Sequence, residues 1–189
     1  MNALPVVIVH ADESCLGNGR EGENPGGAAG LIEYQSPRSD KLTRLDFWVS
    51  EPATTNNRMA LRSAIEALSI LSRKGKRLRI EFTSDSQYLV KGMNEWLRGW
   101  KSRGWRRKDG DIENLALWQE VDSLANAHSI KWQWVRGHNK HPQNEYADHL
   151  ATKAARERSN SGGPVPSLYE EWLASERAKG RLGVDRATG

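Results

Sequence analysis

Acidic side chains stand where the predicted strands meet loops or helices. Asp12 ends the first predicted strand, Asp85 follows another, and Asp148 lies in the last helix before the chain changes composition. Such carboxylates can converge on one edge of a sheet, where they repel each other unless divalent cations neutralise them. Two Mg²⁺ ions roughly 3.5–4 Å apart can activate a water and stabilise the leaving oxygen of a phosphodiester. The spacing permits metal-dependent hydrolysis, although each acid taken alone is typical of a solvated surface or a helix cap.

A basic segment with interleaved tryptophans is the second chemical feature. Residues 91–108 contain seven cations and only one acid, Glu95. The cations are Lys91, Arg98, Lys101, Arg103, Arg106, Arg107 and Lys108, and the tryptophans are Trp96, Trp100 and Trp105. Such a segment can follow a phosphate backbone while exposed indoles pack on sugars or bases. The alternative is a solvated helix whose tryptophans serve the core, which we favour for Trp96 alone; the excess of positive charge favours nucleic-acid binding for the rest.

Composition excludes several other classes of protein. The 189 residues carry 28 Lys and Arg against 24 Asp and Glu, so the net charge of +4 does not by itself indicate a nucleic-acid partner. One cysteine excludes a disulfide framework or a Cys-rich zinc site and fits a reducing cytosol. The early apolar run over 4–9 is too short for a signal core, and no run has membrane length. We therefore expect a cytoplasmic protein without membrane association. We also expect a monomer, although composition does not bear on this expectation.

The elements that must position these residues follow from hydrophobic periodicity. Predicted strands cover about 4–10, 28–34, 42–49, 77–83 and 130–135, and predicted helices begin at Asn56 or Asn57, near Asp85 or Ser86, at Asn114 and at Gln143. Tight connections between the first three strands indicate an antiparallel meander. The order of elements predicts one α/β domain over residues 1–158, in which helices pack on a mixed sheet.

Residues 159–189 differ in composition from the domain. Gly and Pro over 159–166 predict a linker, and 167–179 can form a short helix capped by Ser167. Leu168, Trp172 and Leu173 would form its apolar side. Docking of this helix on the domain is favoured over recruitment of a partner.

Five short motifs resemble type 1 ribonuclease H, in the bacterial ribonuclease HI form. They are Asp12-Glu-Ser-Cys-Leu-Gly-Asn18, Thr54-Thr-Asn-Asn-Arg-Met59, Thr83-Ser-Asp-Ser-Gln-Tyr88, Trp134-Val-Arg-Gly-His138 and Asn144-Glu-Tyr-Ala-Asp148. They occur in register over about residues 4–158, and the basic segment 96–108 resembles the basic protrusion, or handle, of that family. The resemblance implies a ribonuclease H-like mixed five-stranded sheet, with three antiparallel strands and then two parallel ones, flanked by helices.

The resemblance also implies an endonuclease that cuts the RNA strand of RNA–DNA hybrids with two Mg²⁺ ions, for which Mn²⁺ can substitute. Asp12, Asp85 and Asp148 would be metal ligands, and His138 would assist product release or proton movement. Residues matching the hybrid contacts of the family are Asn18, Asn56, Asn57 and Gln87 in the minor groove, Thr55 and Asn114 at a DNA phosphate, and Trp96, Trp100, Trp105, Arg106 and Arg107 in the handle.

Two departures from the family pattern concern the metal site. The family has Glu after Asn-Arg-Met, and this chain has Ala60, whose methyl cannot bind a cation, so loss of activity is the first expectation. Glu13 stands where Gly is usual and could supply the missing carboxylate. Since neighbours on a strand point to opposite faces, we expect that only a bulge or turn brings Glu13 to Asp12. Three explanations of Ala60 stay open: cleavage with Glu13 or a water in its place, a hybrid-binding protein without activity, or a deliberate substitution.

Overall fold

The computed structural model describes residues 6–17, 23–36, 39, 41–137, 139 and 141–182. The strands are β1 (Val6–Cys15), β2 (Gly26–Gln35), β3 (Leu42–Glu51), β4 (Arg79–Ser84), β5 (Ser129–Trp134) and β6 (Val165–Pro166). The α-helices are α1 (Asn56–Ser72), α2 (Gln87–Lys91), α3 (Leu97–Ser102), α4 (Leu115–Ala125), α5 (Pro142–Glu157) and α6 (Tyr169–Ala178). None of these helices has both the length and the apolar character needed to cross a bilayer.

The strands form one mixed sheet in the order β5-β4-β1-β2-β3-β6. Strands β1, β2 and β3 pair antiparallel, whereas β4 and β5 join β1 in parallel. The predicted α/β class and the five main strands are therefore confirmed. The sixth strand was missed, because its two residues include a proline and pair only at the free edge of β3, opposite Leu45 and Asp46.

Helices cover both faces of the sheet. Alternate residues of β1, including Val9 and Ala11, pack with α1 and α4 in the main core. On the other face, Leu31 of β2 packs with Tyr146 of α5. A Cβ atom at Gly27 of β2 would lie 2.0 Å from the Ala151 carbonyl oxygen, so glycine lets α5 approach the sheet closely. Close packing of α5 fixes the helix that carries Asp148.

The helix caps differ in part from the prediction. Thr55, rather than Asn56 or Asn57, caps α1: its hydroxyl accepts the Arg58 N–H at 3.2 Å, and Asn56 is already helical. Ser86 caps α2, as one of the two predicted sites. A π-helical turn over Gly92–Trp96 joins α2 to α3 within what the periodicity predicted as one helix. A Cβ at Gly92 would meet the Trp118 ring at 1.9 Å, so glycine permits α4 to pack there.

The segment after residue 158 docks on the domain, which is the alternative that the sequence favoured. Tyr169 and Leu173 of α6 are buried against Leu31 and Tyr146. The Ser167 hydroxyl accepts the Tyr169 N–H at 3.1 Å, and Leu168 is the residue that precedes the helix. We refer to residues 159–182 as the C-terminal extension.

Candidate metal centre

The parallel register of β1 and β4 brings two aspartates together. Ala11 pairs with Ser84 at the last rung between these strands, so Asp12 and Asp85 are the next residues along each chain. Asp12 continues in β1, paired with Ala29 of β2, whereas β4 ends at Ser84. The two carboxylates therefore meet at the point where one strand stops and its neighbour continues.

Three carboxylates form a tight group at this point. One oxygen from each of Asp12, Glu13 and Asp85 lies within 4.8 Å of the others. Asp12 is only 5% exposed, and the Oε2 atom of Glu13 is buried without a hydrogen-bond partner in the described structure. A buried carboxylate oxygen without a partner is costly, and an added cation would satisfy it.

The electrostatics of the group favour bound cations. Burial, followed by the negative charges of Asp85 and Glu13, raises the pKa of Asp12 far above its ordinary value, although the Glu13 N–H donates to Asp12 Oδ1 at 2.7 Å. Burial, Asp85 and Asp148 raise the pKa of Glu13 to about 8. Burial and neighbouring carboxylates thus disfavour ionisation of Asp12 and Glu13, and divalent ions would reverse this penalty.

Glu13 reaches the group without a bulge, so the expectation that a bulge or turn is needed is wrong. Pairing between β1 and β2 runs unbroken from Val7 to Cys15. Alternation places Glu13 on the face of β1 that also carries Ala11, the face covered by α1, whereas Asp12 lies on the opposite face. Because β4 ends beside them, side chains from both faces of β1 can reach Asp85.

Asp148 lies outside the tight group but close enough to act on it. It is half-buried in α5, and its charge contributes to the raised pKa of both Asp12 and Glu13. The Thr152 hydroxyl, one helical turn later, donates to Asp148 Oδ1 at 3.5 Å. The three predicted aspartates therefore occupy one region, with Glu13 nearer to Asp12 and Asp85 than the sequence indicated.

The last residue of β5 and the segment after it contact Asp85. The Trp134 indole N–H donates to the Asp85 carbonyl oxygen at 2.9 Å. A Cβ atom on Gly137 would lie 2.2 Å from Asp85 Oδ2, so no larger residue fits there without a shift. The sequence analysis missed both contacts, although both residues belong to the quoted Trp-Val-Arg-Gly-His motif. His138 itself, like Asn18, lies outside the described residues.

Ala60 offers nothing to this site. It is fully buried in α1 and belongs to the main core with Leu61 and Ala64. Helix α1 packs on the face of β1 that carries Ala11 and, by alternation, Glu13. The carboxylate of Glu13 and the methyl of Ala60 therefore belong to the same side of the sheet.

The described residues matched to hybrid contacts lie in a surface cleft, in the first turn of α1 and at the start of α2. Thr55 and Asn114 line one cleft of about 610 Å³, together with Asn24 and Arg58. Asn56 is exposed, Asn57 is half-buried next to it in α1, and Gln87 is exposed at the start of α2. Asn114 has a left-handed backbone (φ 57°), which asparagine tolerates better than most residues.

Two tryptophans of the basic segment, Trp100 and Trp105, are less exposed than expected. Trp100 and Trp105 pack against the main core. Trp96, for which a core position was favoured, is half-buried against the rings of Tyr88 and Trp100, with centroids 6.0 and 5.8 Å away. For Trp100, the reason is that α4 supplies Trp118 as a packing partner, which the sequence pattern alone does not reveal.

The cations of the basic segment stay at the surface. Arg106 and Arg107 are exposed, and Arg107 lines a cleft of about 310 Å³ with Trp96 and Trp100. A cationic rim beside indole edges is a surface on which phosphates and sugars can bind.

Comparison with known proteins identifies the family. Residues 5–156 match the family model described as RNase H. The chain is 42% identical over 148 residues to Ribonuclease H of Stutzerimonas stutzeri, covering 78% of this chain and 89% of that protein. It is 41% identical over 154 residues to Ribonuclease HI of Caulobacter vibrioides, covering 81% and 95%.

A solved structure extends the similarity to the whole chain. LC9-RNase H1, described as a type 1 RNase H with the type 2 active-site motif, is 55% identical with a TM-score of 0.89, and the match covers 100% of this chain and 92% of that one. The mixed sheet, the group of acids at its edge and the similarity to these relatives all indicate the same family. The chain belongs to the ribonuclease H family.

Proposed function

We propose that this protein is a metal-dependent endonuclease that hydrolyses the RNA strand of RNA–DNA hybrids and leaves 3′-hydroxyl and 5′-phosphate ends. The observation that carries the proposal is the group formed by Asp12, Glu13 and Asp85, with oxygens within 4.8 Å of each other, in a chain of the ribonuclease H family. A solvated surface cluster would not bury Asp12 or leave Glu13 Oε2 without a partner.

The donor set fits Mg²⁺ or Mn²⁺. Among the described residues, the group contains carboxylate oxygens only, which hard divalent cations prefer, and no imidazole or thiolate donor of the kind typical of zinc sites. Asp12, Glu13, Asp85 and Asp148 would hold two such ions. Bound ions would lower the pKa of the attacking water and neutralise charge that develops on the scissile phosphate.

The residues of the chain supply placement and charge. The carboxylates of β1 and of the residue after β4 are fixed by the sheet, so their oxygens are arranged before substrate binds. As the water oxygen bonds to phosphorus, the water gives up a proton, the bond to the RNA 3′-oxygen breaks, and that oxygen takes up a proton. His138 is the residue that we assign to proton movement or product release.

We further propose that Glu13 takes the place of the family glutamate at residue 60. Its carboxylate approaches from the side of the sheet on which α1 carries Ala60, and it already lies within the tight group. LC9-RNase H1 is described as a type 1 RNase H with the type 2 active-site motif. This description supports the view that relatives of this chain tolerate an altered set of carboxylates.

Hybrid recognition is assigned to residues flanking this centre. Asn18, Asn56, Asn57 and Gln87 would contact the minor groove, where 2′-hydroxyls distinguish RNA from DNA. Thr55 and Asn114 share one cleft and would bind a phosphate of the DNA strand. Arg106 and Arg107, with the neighbouring tryptophans, would follow the duplex backbone. A cytoplasmic location and a monomeric state stay predictions.

The test is cleavage of an end-labelled RNA–DNA hybrid by the full chain in Mg²⁺ and in Mn²⁺. We expect RNA-strand cleavage by the wild type, and none by Asp12→Asn or Asp85→Asn with the fold retained. Hybrid binding without cleavage in either metal would instead establish the hybrid-binding protein without activity, which Ala60 makes the second candidate. Normal cleavage by either variant would show that the metal ligands are wrongly assigned.

A further inference from the structure

The C-terminal extension packs on the part of α5 that carries Asp148. The Trp172 ring lies 5.0 Å from the Tyr146 ring and 5.9 Å from the His149 ring, measured between centroids. The Tyr169 ring lies 5.3 Å from that of Tyr146. Tyr146 precedes Asp148 in the sequence of α5, and His149 follows it. The extension therefore contacts α5 both before and after a proposed metal ligand.

The extension is itself anchored to the sheet. Asp46 of β3 is 2% exposed and accepts hydrogen bonds from the Tyr146 hydroxyl, at 2.6 Å, and from the Leu168 N–H, at 3.2 Å. One buried carboxylate thus joins the sheet, α5 and the extension. A hydrogen bond held by a buried charged group is stronger than one between neutral groups.

Ion pairs at the edge of the sheet also join the sheet to the extension. Arg44 of β3 pairs with Glu33 of β2 at 2.7 Å and with Glu170 of α6, and its guanidinium lies 5.0 Å from the centre of the Tyr169 ring. Together with the β3–β6 pairing, these contacts fix α6 against the sheet independently of α5. The extension therefore contacts both the sheet and α5, so it can hold α5 in a fixed position relative to the sheet.

The extension also reaches the edge of the metal centre. A cleft of about 580 Å³ separates α5 from α6; Asp148 and Thr152 lie on one wall, and Trp172, Glu176 and Arg181 on the other. Trp172 is the residue that both lines this cleft and contacts the rings on either side of Asp148.

We propose that the C-terminal extension holds Asp148 in the geometry needed for metal binding, with Trp172 as the positioning residue that acts through Tyr146 and His149. This inference rests on the proposed function, because it assigns Asp148 to the metal centre. The extension then does more than cover apolar surface of the domain, because it also fixes the position of a metal ligand.

The test uses full-length variants and two readouts besides activity. Calorimetric titration gives Mn²⁺ affinity without hybrid, thermal unfolding gives the melting temperature, and cleavage gives the Mg²⁺ concentration at half-maximal rate. We expect Trp172→Ala to weaken Mn²⁺ binding roughly tenfold and to raise the Mg²⁺ midpoint similarly, as loss of a ligand-orienting contact does. Trp172→Phe, which keeps a ring, should restore most of the affinity.

Matched controls separate positioning from stability. Val121→Ala removes a fully buried side chain from α4 on the opposite face, so it should lower the melting temperature without changing Mn²⁺ affinity. Leu168→Ala alters a side chain of the extension that is 64% exposed and should change neither quantity. If Trp172→Ala does not fold, Trp172→Leu, which keeps apolar volume, carries the same test.

A double-mutant cycle gives the decisive comparison. If Trp172 acts through Asp148, Trp172→Ala should add no further loss of Mn²⁺ affinity in an Asp148→Asn background. A Trp172→Ala variant that melts earlier but binds Mn²⁺ like the wild type would overturn the inference and leave the proposed function intact. A wild type that neither binds Mn²⁺ nor cleaves hybrid would overturn both.

Discussion

At the scale of single residues, the candidate site carries an electrostatic cost in the metal-free protein. Burial and neighbouring carboxylates raise the pKa of Asp12, and raise that of Glu13 from 4.5 to about 8. A group whose pKa is higher in the folded state binds its proton more tightly there than in the unfolded chain. The contribution of Glu13 to the free energy of unfolding of the metal-free protein therefore falls as the pH rises from about 4.5 through 8.

Glu13→Gln should remove part of this cost. Without metal at pH 8, we expect a melting temperature above that of the wild type, by roughly 2–4 °C for each kcal/mol of repulsion relieved. At pH 4, where Glu13 is protonated in both states, the difference should vanish. Calorimetric scans with a chelator check this. Equal melting temperatures for the wild type and Glu13→Gln at pH 8 would show that Glu13 experiences no such repulsion.

Ala60→Glu tests whether Glu13 fills the place of residue 60. In the wild type, we expect little change in cleavage rate, because Glu13 already supplies the carboxylate. In a Glu13→Gln background, which should cleave at least about tenfold more slowly, Ala60→Glu should recover activity. Single-turnover rates in Mg²⁺ measure both. The absence of any recovery, in a protein shown to fold, would mean that the two positions are not equivalent.

At the scale of elements, the site depends on where β4 ends and on the segment that follows β5. Strand periodicity predicted β1 and β4, and the motifs predicted Asp12 and Asp85. The periodicity did not predict that β1 continues beyond the point where β4 ends. This difference is why Glu13, on the other face of β1, still reaches Asp85. Likewise, Asn56 or Asn57 was predicted to cap α1, whereas Thr55 does so, because three adjacent residues of types that favour caps precede the apolar positions of the helix.

Gly137→Ala should displace Asp85, because the added methyl would lie 2.2 Å from its Oδ2 atom. A shift of about 1 Å in a catalytic group can cost roughly 100-fold in rate, so we expect a loss of that order with the fold retained. Gly99→Ala is the control, since its nearest neighbour is the flexible end of Arg103 at 3.2 Å. Cleavage at saturating hybrid should be unchanged by Gly99→Ala; equal rates for both variants would contradict the packing argument.

At the scale of the whole molecule, positive charge is concentrated in one stretch of the chain. The net charge is only +4, yet residues 91–108 carry seven cations, among which Arg106 and Arg107 are exposed. The sequence predicted the charge of this segment but not the packing of Trp100 against the core, because its partner Trp118 comes from α4. It also left open how the C-terminal extension docks, since that depends on Asp46 and Arg44 meeting it across the sheet.

Arg106→Ala with Arg107→Ala should weaken hybrid binding most at low salt. Each lost phosphate contact should reduce the slope of log affinity against log salt by roughly 0.7–0.9. Lys74→Ala with Lys76→Ala removes the same charge from exposed positions just before β4, at the end of that strand opposite Asp85, and should leave the slope near that of the wild type. Equal slopes for both pairs would mean that the basic segment does not touch the hybrid.

The most direct measurement of the central claim is anomalous diffraction from crystals of the wild type grown with Mn²⁺. The account predicts Mn²⁺ peaks bonded to oxygens of Asp12, Glu13 and Asp85 at about 2.1 Å, the distance typical of ions of this size. Peaks that leave Glu13 without a metal bond, or no Mn²⁺ peak at the end of β4, would contradict it.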